Sequence, residues 1–170
     1  LIKKELKADA EEYGDERKSF YGEGVSAKAF DELDLISNDP MTVVLSEKGW
    51  IRAAKGHDID PQSLQYREGD SFLSASKGRN SESVVIIDSS GKSYSLPIHK
   101  LPSARGQGEP VSGKINAPSG SSFKGVIAGP ADQKLLIMSD LGYGFLTKIE
   151  DIFTKNRSGK SFTKNVTLTN

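Results

Sequence analysis

The chain has 170 residues, 23 basic and 23 acidic side chains, and no cysteine. This length suits one domain with an appendage, and the lack of cysteine excludes disulfides and thiolate metal sites and fits a reducing cytoplasm. No apolar run reaches the roughly 18 residues of a membrane span. The first residue is Leu1 rather than Met, so we expect a piece of a longer protein.

The first elements are a helix and a linker. Ile2, Leu6, Ala10 and Tyr13 follow the spacing of one face of an amphipathic helix, and Gly14 is a stop signal. We predict a helical segment over residues 1–18 and a polar, acidic linker over 19–40, with a short helix or strand near 27–35. Residues 41–170 would form the folded domain.

From residue 41 onward the sequence repeats with a spacing of 51 residues. The pairs on this spacing include Gly69/Gly120, Phe72/Phe123, Val85/Leu136, Ile86/Ile137, Gly91/Gly142, Tyr94/Phe145, Ile98/Ile149 and Gly108/Gly159, and Leu64, Ile115 and Val166 form a triplet. An earlier copy begins at Val43. A repeat of this length indicates stacked or radially arranged units rather than one enzyme-like core.

Each repeat has the pattern of a β-hairpin with a glycine in its turn, at Gly49, Gly91 and Gly142. Another strand is predicted before the second and third hairpins, and further strand pieces near Leu64, Ile115 and Val166. About four strands per repeat is typical of an all-β, propeller-like disc of four-stranded blades. The repeated apolar positions predict a core that contains Val44, Leu45, Val85, Ile86, Leu136, Ile137, Phe72 and Phe123.

Charge is divided unevenly along the chain. Residues 1–40 carry 6 basic and 11 acidic side chains, whereas residues 41–170 carry 17 and 12, a net charge of +5. A basic repeat domain favours a polyanionic partner, although an ordinary solvated face would have the same composition. Two Gly-containing loops concentrate the positive charge: Arg105 in one, and Lys155, Arg157 and Lys160 in the other. The first interval between hairpins is nine residues shorter, and the missing residues fall at this loop.

Catalytic and metal-binding motifs are weak. His57 and His99 are the only histidines, and neither has a partner at metal-ligand spacing. Gly91-Lys92-Ser93 and Gly159-Lys160-Ser161 lack the earlier glycine of a phosphate-binding loop, and no G-x-S-x-G motif is present. We therefore predict no catalytic residue, no metal site and no cofactor in this chain.

Four segments, LIKKELKADAEEYGDERKS, MTVVLSEKGWIRAAKGHDID, LPSARGQGEP and DQKLLIMSDLGYGF, carry a family resemblance. Together they resemble the carboxy-terminal DNA-binding domain found in the A subunit of bacterial DNA topoisomerase IV, in the gyrase A family. The resemblance implies a β-pinwheel, in which neighbouring blades exchange strands, preceded by the last helix of the catalytic core. It also implies a bacterial cytoplasmic, nucleoid-associated enzyme, with the B subunit, ATP and Mg²⁺ acting elsewhere in the full assembly.

Two departures from the family qualify this expectation. The related gyrase protein carries a basic Gln-Arg-Arg-Gly-Gly-Lys-Gly box that wraps DNA, whereas the nearest segment here, residues 103–108, has only Arg105 as a basic residue. Family discs commonly have five or more blades, and this chain shows three repeats. Tight wrapping is therefore not expected.

The resemblance and the charge distribution together predict phosphate contacts to duplex DNA without a base-specific code. The predicted contacts are Arg52, Lys55, Lys77, Arg79, Arg105, Lys114, Lys148, Lys155, Arg157 and Lys160. The alternative is a protein-interaction propeller without DNA affinity. Salt-dependent duplex binding separates the two.

Overall fold

The structure is a computed structural model that describes residues 2–15, 36–139 and 142–162. The chain divides into two units, Leu1–Asp31 and Glu32–Asn170. In the first, helix α1 spans Ile2–Tyr13, which confirms the helix predicted from the apolar stripe. The stripe is exposed: Ile2, Leu6 and Tyr13 are all more than half accessible. The helix or strand predicted near 27–35 lies outside the described residues.

The second unit is built from short antiparallel strands. In chain order they are β1 (Pro40–Ser46), β2 (Trp50–Lys55), β3 (Phe72–Arg79), β4 (Ser83–Asp88), β5 (Lys92–Pro97), β6 (Glu109–Pro110), β7 (Phe123–Ala128), β8 (Lys134–Met138), β9 (Gly144–Lys148) and β10 (Lys160–Ser161). Two four-stranded sheets form, with strand orders β3-β1-β2-β6 (the first blade) and β10-β5-β4-β7 (the second blade). Strands β8 and β9 form a third hairpin, followed by the one-turn helix α2 (Ile149–Ile152).

The blades exchange strands, as the family resemblance implies. Strand β3 belongs to the second repeat but pairs with β1, and β7 of the third repeat pairs with β4. The repeat register extends to individual pairs. Val44 lies opposite Ala75, and their counterparts, Ile86 (42 residues later) and Val126 (51 residues later), lie opposite each other. The β-pinwheel prediction is therefore confirmed within the described residues.

The two-residue edge strands β6 and β10 repeat in the same way. Pro110 of β6 pairs with Trp50, and Ser161 of β10 pairs with Lys92. One expectation was wrong: the chain near Leu64 and Ile115 is not extended into strands. Each of these residues instead follows a 3₁₀ turn, Pro61–Ser63 or Val111–Gly113. Proline fixes φ for the first turn. Val166 lies outside the described residues.

The core lies between blades, because alternate side chains of each central strand point to opposite faces. Val43 and Leu45 of β1 share one buried cluster with Val84 and Ile86 of β4. On the other face of β4, Val85 packs with residues of the third unit, Ile149, Ile152, Leu135 and Ile137. A strand covered on both faces needs a continuous apolar run, which explains the sequence of β4.

The predicted core is confirmed at four of its eight positions. Val44, Leu45, Val85 and Ile86 are buried. Phe72, Phe123 and Ile137 are half-buried. The prediction that Leu136 is buried is wrong, because 62 % of its surface is exposed. Leu136 lies on the face of β8 opposite Ile137, and this is the face that the next unit covers in the second blade.

Candidate nucleic-acid interface

The first basic loop, residues 103–108, lies along strand β2 of the first blade. The Ala53 amide donates to the Pro102 carbonyl at 2.8 Å, and the Ala104 amide donates to the Ala53 carbonyl at 2.9 Å. Gly108 has φ of +89°, and a Cβ there would lie 2.7 Å from the Ile51 carbonyl oxygen. Glycine is thus required where the loop closes on the blade.

Arg52 braces this loop from inside the blade. It is 3 % exposed, and its Nη1 atom donates to the carbonyls of Gln65 at 2.9 Å and Gly106 at 3.0 Å. The guanidinium also lies 4.6 Å from the centre of the Tyr66 ring. The prediction that Arg52 contacts DNA therefore needs correction: the side chain is buried, its Nη1 atom donates to loop carbonyls, and it positions the loop.

A second brace lies at the surface. The Arg67 guanidinium stacks over the Trp50 ring at 3.8 Å, and its Nε atom donates to Gln107 Oε1 at 2.9 Å. Sequence analysis missed this contact, since Arg67 and Gln107 are 40 residues apart and neither stands in a recognisable motif. Arg105, on the same loop, is left exposed.

The second basic loop, residues 154–159, occupies the equivalent place on the second blade. The Ser93 hydroxyl lies within hydrogen-bond distance of the carbonyls of Ile152, at 2.6 Å, and Lys160, at 3.2 Å. Gly159 has φ of +74° and faces Ser93 and Tyr94, as Gly108 faces Ile51. The loop presents the exposed side chains of Lys155 and Arg157.

Several other predicted contacts are engaged with acidic or carbonyl groups. Lys55 pairs with Asp39 at 2.9 Å, and its hydrogen bond and charge lower the pKa of that carboxyl. Lys160 Nζ donates to the Asp151 carbonyl at 2.6 Å. The Lys55 side chain is largely exposed, and an exposed ion pair of this kind contributes little to stability.

Of the other predicted contacts, two form ion pairs and two are exposed on a strand. Lys148 pairs with Glu150 at 2.9 Å, and the hydrogen bond and charge of Glu150 raise the pKa of Lys148. Lys114 pairs with Glu109 at 2.8 Å. Lys77 and Arg79 are exposed on β3. Apart from buried Arg52 and half-buried Lys114, the predicted cations thus have exposed side chains, and their DNA contacts stay predictions.

The described residues contain no cluster of three or more His, Asp or Glu side chains suited to a metal ion. His57 contacts the Gly78 carbonyl at 2.9 Å, which gives it a structural partner. In residues 2–15, 36–139 and 142–162, no helix has the length and apolar character needed to cross a bilayer.

Comparison with known proteins gives consistent relatives. The chain is 52 % identical over 161 residues to the A subunit of DNA topoisomerase 4 from Pseudomonas aeruginosa, and 50 % identical over 161 residues to the same protein from Escherichia coli K12. These alignments cover 95 % of this chain but 21 % of each relative, so the chain spans about a fifth of their length. No family model matches.

Solved structures agree with the sequence relatives. The E. coli ParC C-terminal domain is similar with a TM-score of 0.68 and 50 % identity, over 72 % of this chain and 50 % of that one. A DNA gyrase A C-terminal domain is similar with a TM-score of 0.55 and 20 % identity, over 72 % of this chain and 42 % of that one. The second likeness, at its low identity, supports the fold alone.

Proposed function

Because this chain belongs to the family of carboxy-terminal domains from the A subunit of topoisomerase IV, we propose that it binds duplex DNA through the phosphate backbone. The observation that carries the proposal is the pair of basic loops. Both loops close with a positive-φ glycine on the preceding blade, and both present exposed cations, Arg105 in one and Lys155 with Arg157 in the other.

The cations suit phosphates better than base edges. They stand on loops and strand surfaces, and the described blades have no recognition helix of the kind that enters a major groove. Phosphate contacts position a duplex without reading its sequence, which is what a topoisomerase acting throughout a chromosome requires. Arg105 is the sole cation of its loop segment, residues 103–108, so the loop supports modest bending rather than tight wrapping.

In the full enzyme, this domain would hold the DNA segment presented to the catalytic core and so guide supercoil relaxation and decatenation in the bacterial cytoplasm. Its partners would be the remainder of its own polypeptide and the B subunit of the enzyme. We place the ATP and Mg²⁺ chemistry in those other parts.

A salt titration tests the proposal. Phosphate-dominated binding to a duplex should weaken by about 0.9 log units per log unit of salt for each phosphate neutralised. Reversing both loop charges, with Arg105→Glu and Arg157→Glu, should weaken binding equally for unrelated duplex sequences and flatten the salt slope. Unchanged affinity and slope would remove the loops from the DNA surface.

The alternative is a protein-interaction module, and one observation favours it. Leu136, Met138, Tyr143 and Leu146 of the third hairpin are exposed. A partner protein is not needed to explain why two of these side chains are apolar. Leu136 and Met138 correspond to Val85 and Ile87, on the face of β4 that packs against the third unit, so the repeat itself accounts for their apolar character. DNA binding therefore remains the better-supported function.

A further inference from the structure

A cavity of about 280 Å³ opens where the second basic loop meets the second blade. Four cationic residues line it: Lys100, Lys114, Lys155 and Arg157. Apolar Leu96 and Leu101 complete part of the wall. The volume falls just below the range of roughly 300–1,000 Å³ that holds drug-sized ligands, so the cavity suits a small charged group.

Hydrogen bonds of the backbone, rather than contacts of the cationic side chains, fix the position of the loop that forms the cavity. The Asn116 amide donates to the Arg157 carbonyl at 2.8 Å, which ties the loop to the turn after β6. The Thr154 amide donates to Ser95 Oγ at 3.1 Å, which ties the loop to β5. The fold therefore gathers the four cationic residues through contacts that do not involve their side chains.

The charges in the cavity are poorly neutralised. Within the part of the chain that the structure describes, Lys100, Lys155 and Arg157 have no carboxylate within ion-pair distance, and Lys114 alone is paired, with Glu109. Glu109 is itself half exposed, so this pair is a weak surface interaction that an anion can replace. Four cations with one carboxylate favour a polyvalent anion such as phosphate.

The first blade provides an internal comparison. In the repeat register, Lys100 corresponds to Asp58, Lys114 to Ser63, Lys155 to Ala104 and Arg157 to Gly106. None of these four positions is basic there, although Lys55 and Arg105 stand at the positions equivalent to Pro97 and Asn156. The segment between residues 59 and 64 is also nine residues shorter than its counterpart between residues 101 and 115. The second blade thus has four cations at this place and the first blade two, so the greater charge of the second blade is not demanded by the shared strand pairing.

We propose that the cavity lined by Lys100, Lys114, Lys155 and Arg157 binds a backbone phosphate of duplex DNA, and that it is the principal phosphate contact of the two complete blades. The inference rests on the proposed function, because the ligand is a phosphate of the DNA. It reverses the family expectation, in which the loop equivalent to residues 103–108 dominates.

The test compares two variants with the same charge change in the 170-residue chain. One carries Lys100→Gln and Arg157→Gln, in the cavity. The matched control carries Lys55→Gln and Arg105→Gln, which stand at first-blade positions equivalent to Pro97 and Asn156 of the cavity wall. Binding of a 30-base-pair duplex is measured at several salt concentrations. The unfolding temperature of each variant and the charge-retaining Arg157→Lys establish that the fold is intact.

We expect the cavity variant to lose about tenfold in duplex affinity and the control about threefold or less. Inorganic phosphate should shift the amide resonances of Asn156 and Arg157 in the native chain but not in the cavity variant. If the native chain binds DNA and both variants lose the same affinity, the cavity is not the principal phosphate contact, and the proposed function still stands.

A native chain that fails to bind duplex at low salt would overturn both proposals. If inorganic phosphate still shifted the two amides in that case, the cavity would be a site for free phosphate, and its assignment to DNA would be wrong.

Discussion

The hydroxyl of Tyr94 donates a hydrogen bond of 3.0 Å to the Oδ2 atom of Asp88, and both residues are buried. The other carboxylate oxygen accepts from the backbone amides of Ser90 and Lys92, each at 2.9 Å. Burial, and then the hydrogen bond and charge of Asp88, raise the pKa of Tyr94 well above its usual value. One carboxylate thus joins the β4–β5 turn to the core.

This pair predicts a loss of stability at alkaline pH. In the unfolded chain Tyr94 ionises near pH 10, whereas in the folded chain it stays protonated. The contribution of Tyr94 to the free energy of unfolding is therefore complete below about pH 10 and is lost as the pH rises further. Above that pH, the free energy of unfolding of the native chain should fall more steeply than that of Tyr94→Phe, by up to about 1.4 kcal/mol per pH unit.

Urea unfolding between pH 8 and 11 measures this difference, because the other tyrosines are common to both proteins. At pH 8, Tyr94→Phe should itself lower the free energy of unfolding by about 1.5–3 kcal/mol, since the hydrogen bond from the Tyr94 hydroxyl to the Asp88 carboxylate is lost. Parallel pH profiles for the two proteins would show that Tyr94 ionises equally in both states.

Gly108 should tolerate alanine poorly. Gly108→Ala places a Cβ 2.7 Å from the Ile51 carbonyl oxygen, in addition to the strain of φ at +89°. Gly120 has a similar φ of +84° with no atom within 4 Å, so Gly120→Ala isolates the backbone strain, about 1–2 kcal/mol. Chemical denaturation should give Gly108→Ala the larger loss. Equal losses would mean that the loop moves aside without cost.

The repeat register supplies a second matched pair. Val85 is fully buried, whereas Leu136, 51 residues later, is 62 % exposed. Val85→Ala should cost about 2 kcal/mol or more through lost burial and a cavity, and Leu136→Ala about 0.5 kcal/mol or less. Equilibrium unfolding of both variants measures the contrast. A comparable loss at Leu136 would require that its side chain be covered in solution.

Arg52 and Arg105 should separate stability from binding. Arg52→Met leaves the carbonyls of Gln65 and Gly106 without their donor, at a cost of about 1–3 kcal/mol, and should speed amide exchange in residues 104–106. Arg105→Met, at the exposed tip of the same loop, should change stability by about 0.5 kcal/mol or less and lower duplex affinity instead. Amide exchange and duplex titration together distinguish the two effects.

The repeat register made the blades, the hairpins and most of the core predictable, because positions such as Val85 and Ile86 keep their apolar character from copy to copy. It could not place Leu136, since repetition preserves a residue type even where no described residue covers the side chain. The burial of Arg52 also escaped prediction, because basic charge in a sequence does not show which cations the fold uses internally. Lys100 was missed for the converse reason: it joins Arg157 only through tertiary packing.

Exchange of strands places the boundaries of the blades out of phase with the boundaries of the repeats. Within the described residues, the second copy completes the first sheet with β3, and the third copy completes the second sheet with β7. A gene duplication that adds one 51-residue unit would therefore supply and receive a strand without any new interface having to evolve. A series of blades joined in this way can lengthen or shorten by whole units while every internal junction stays the same.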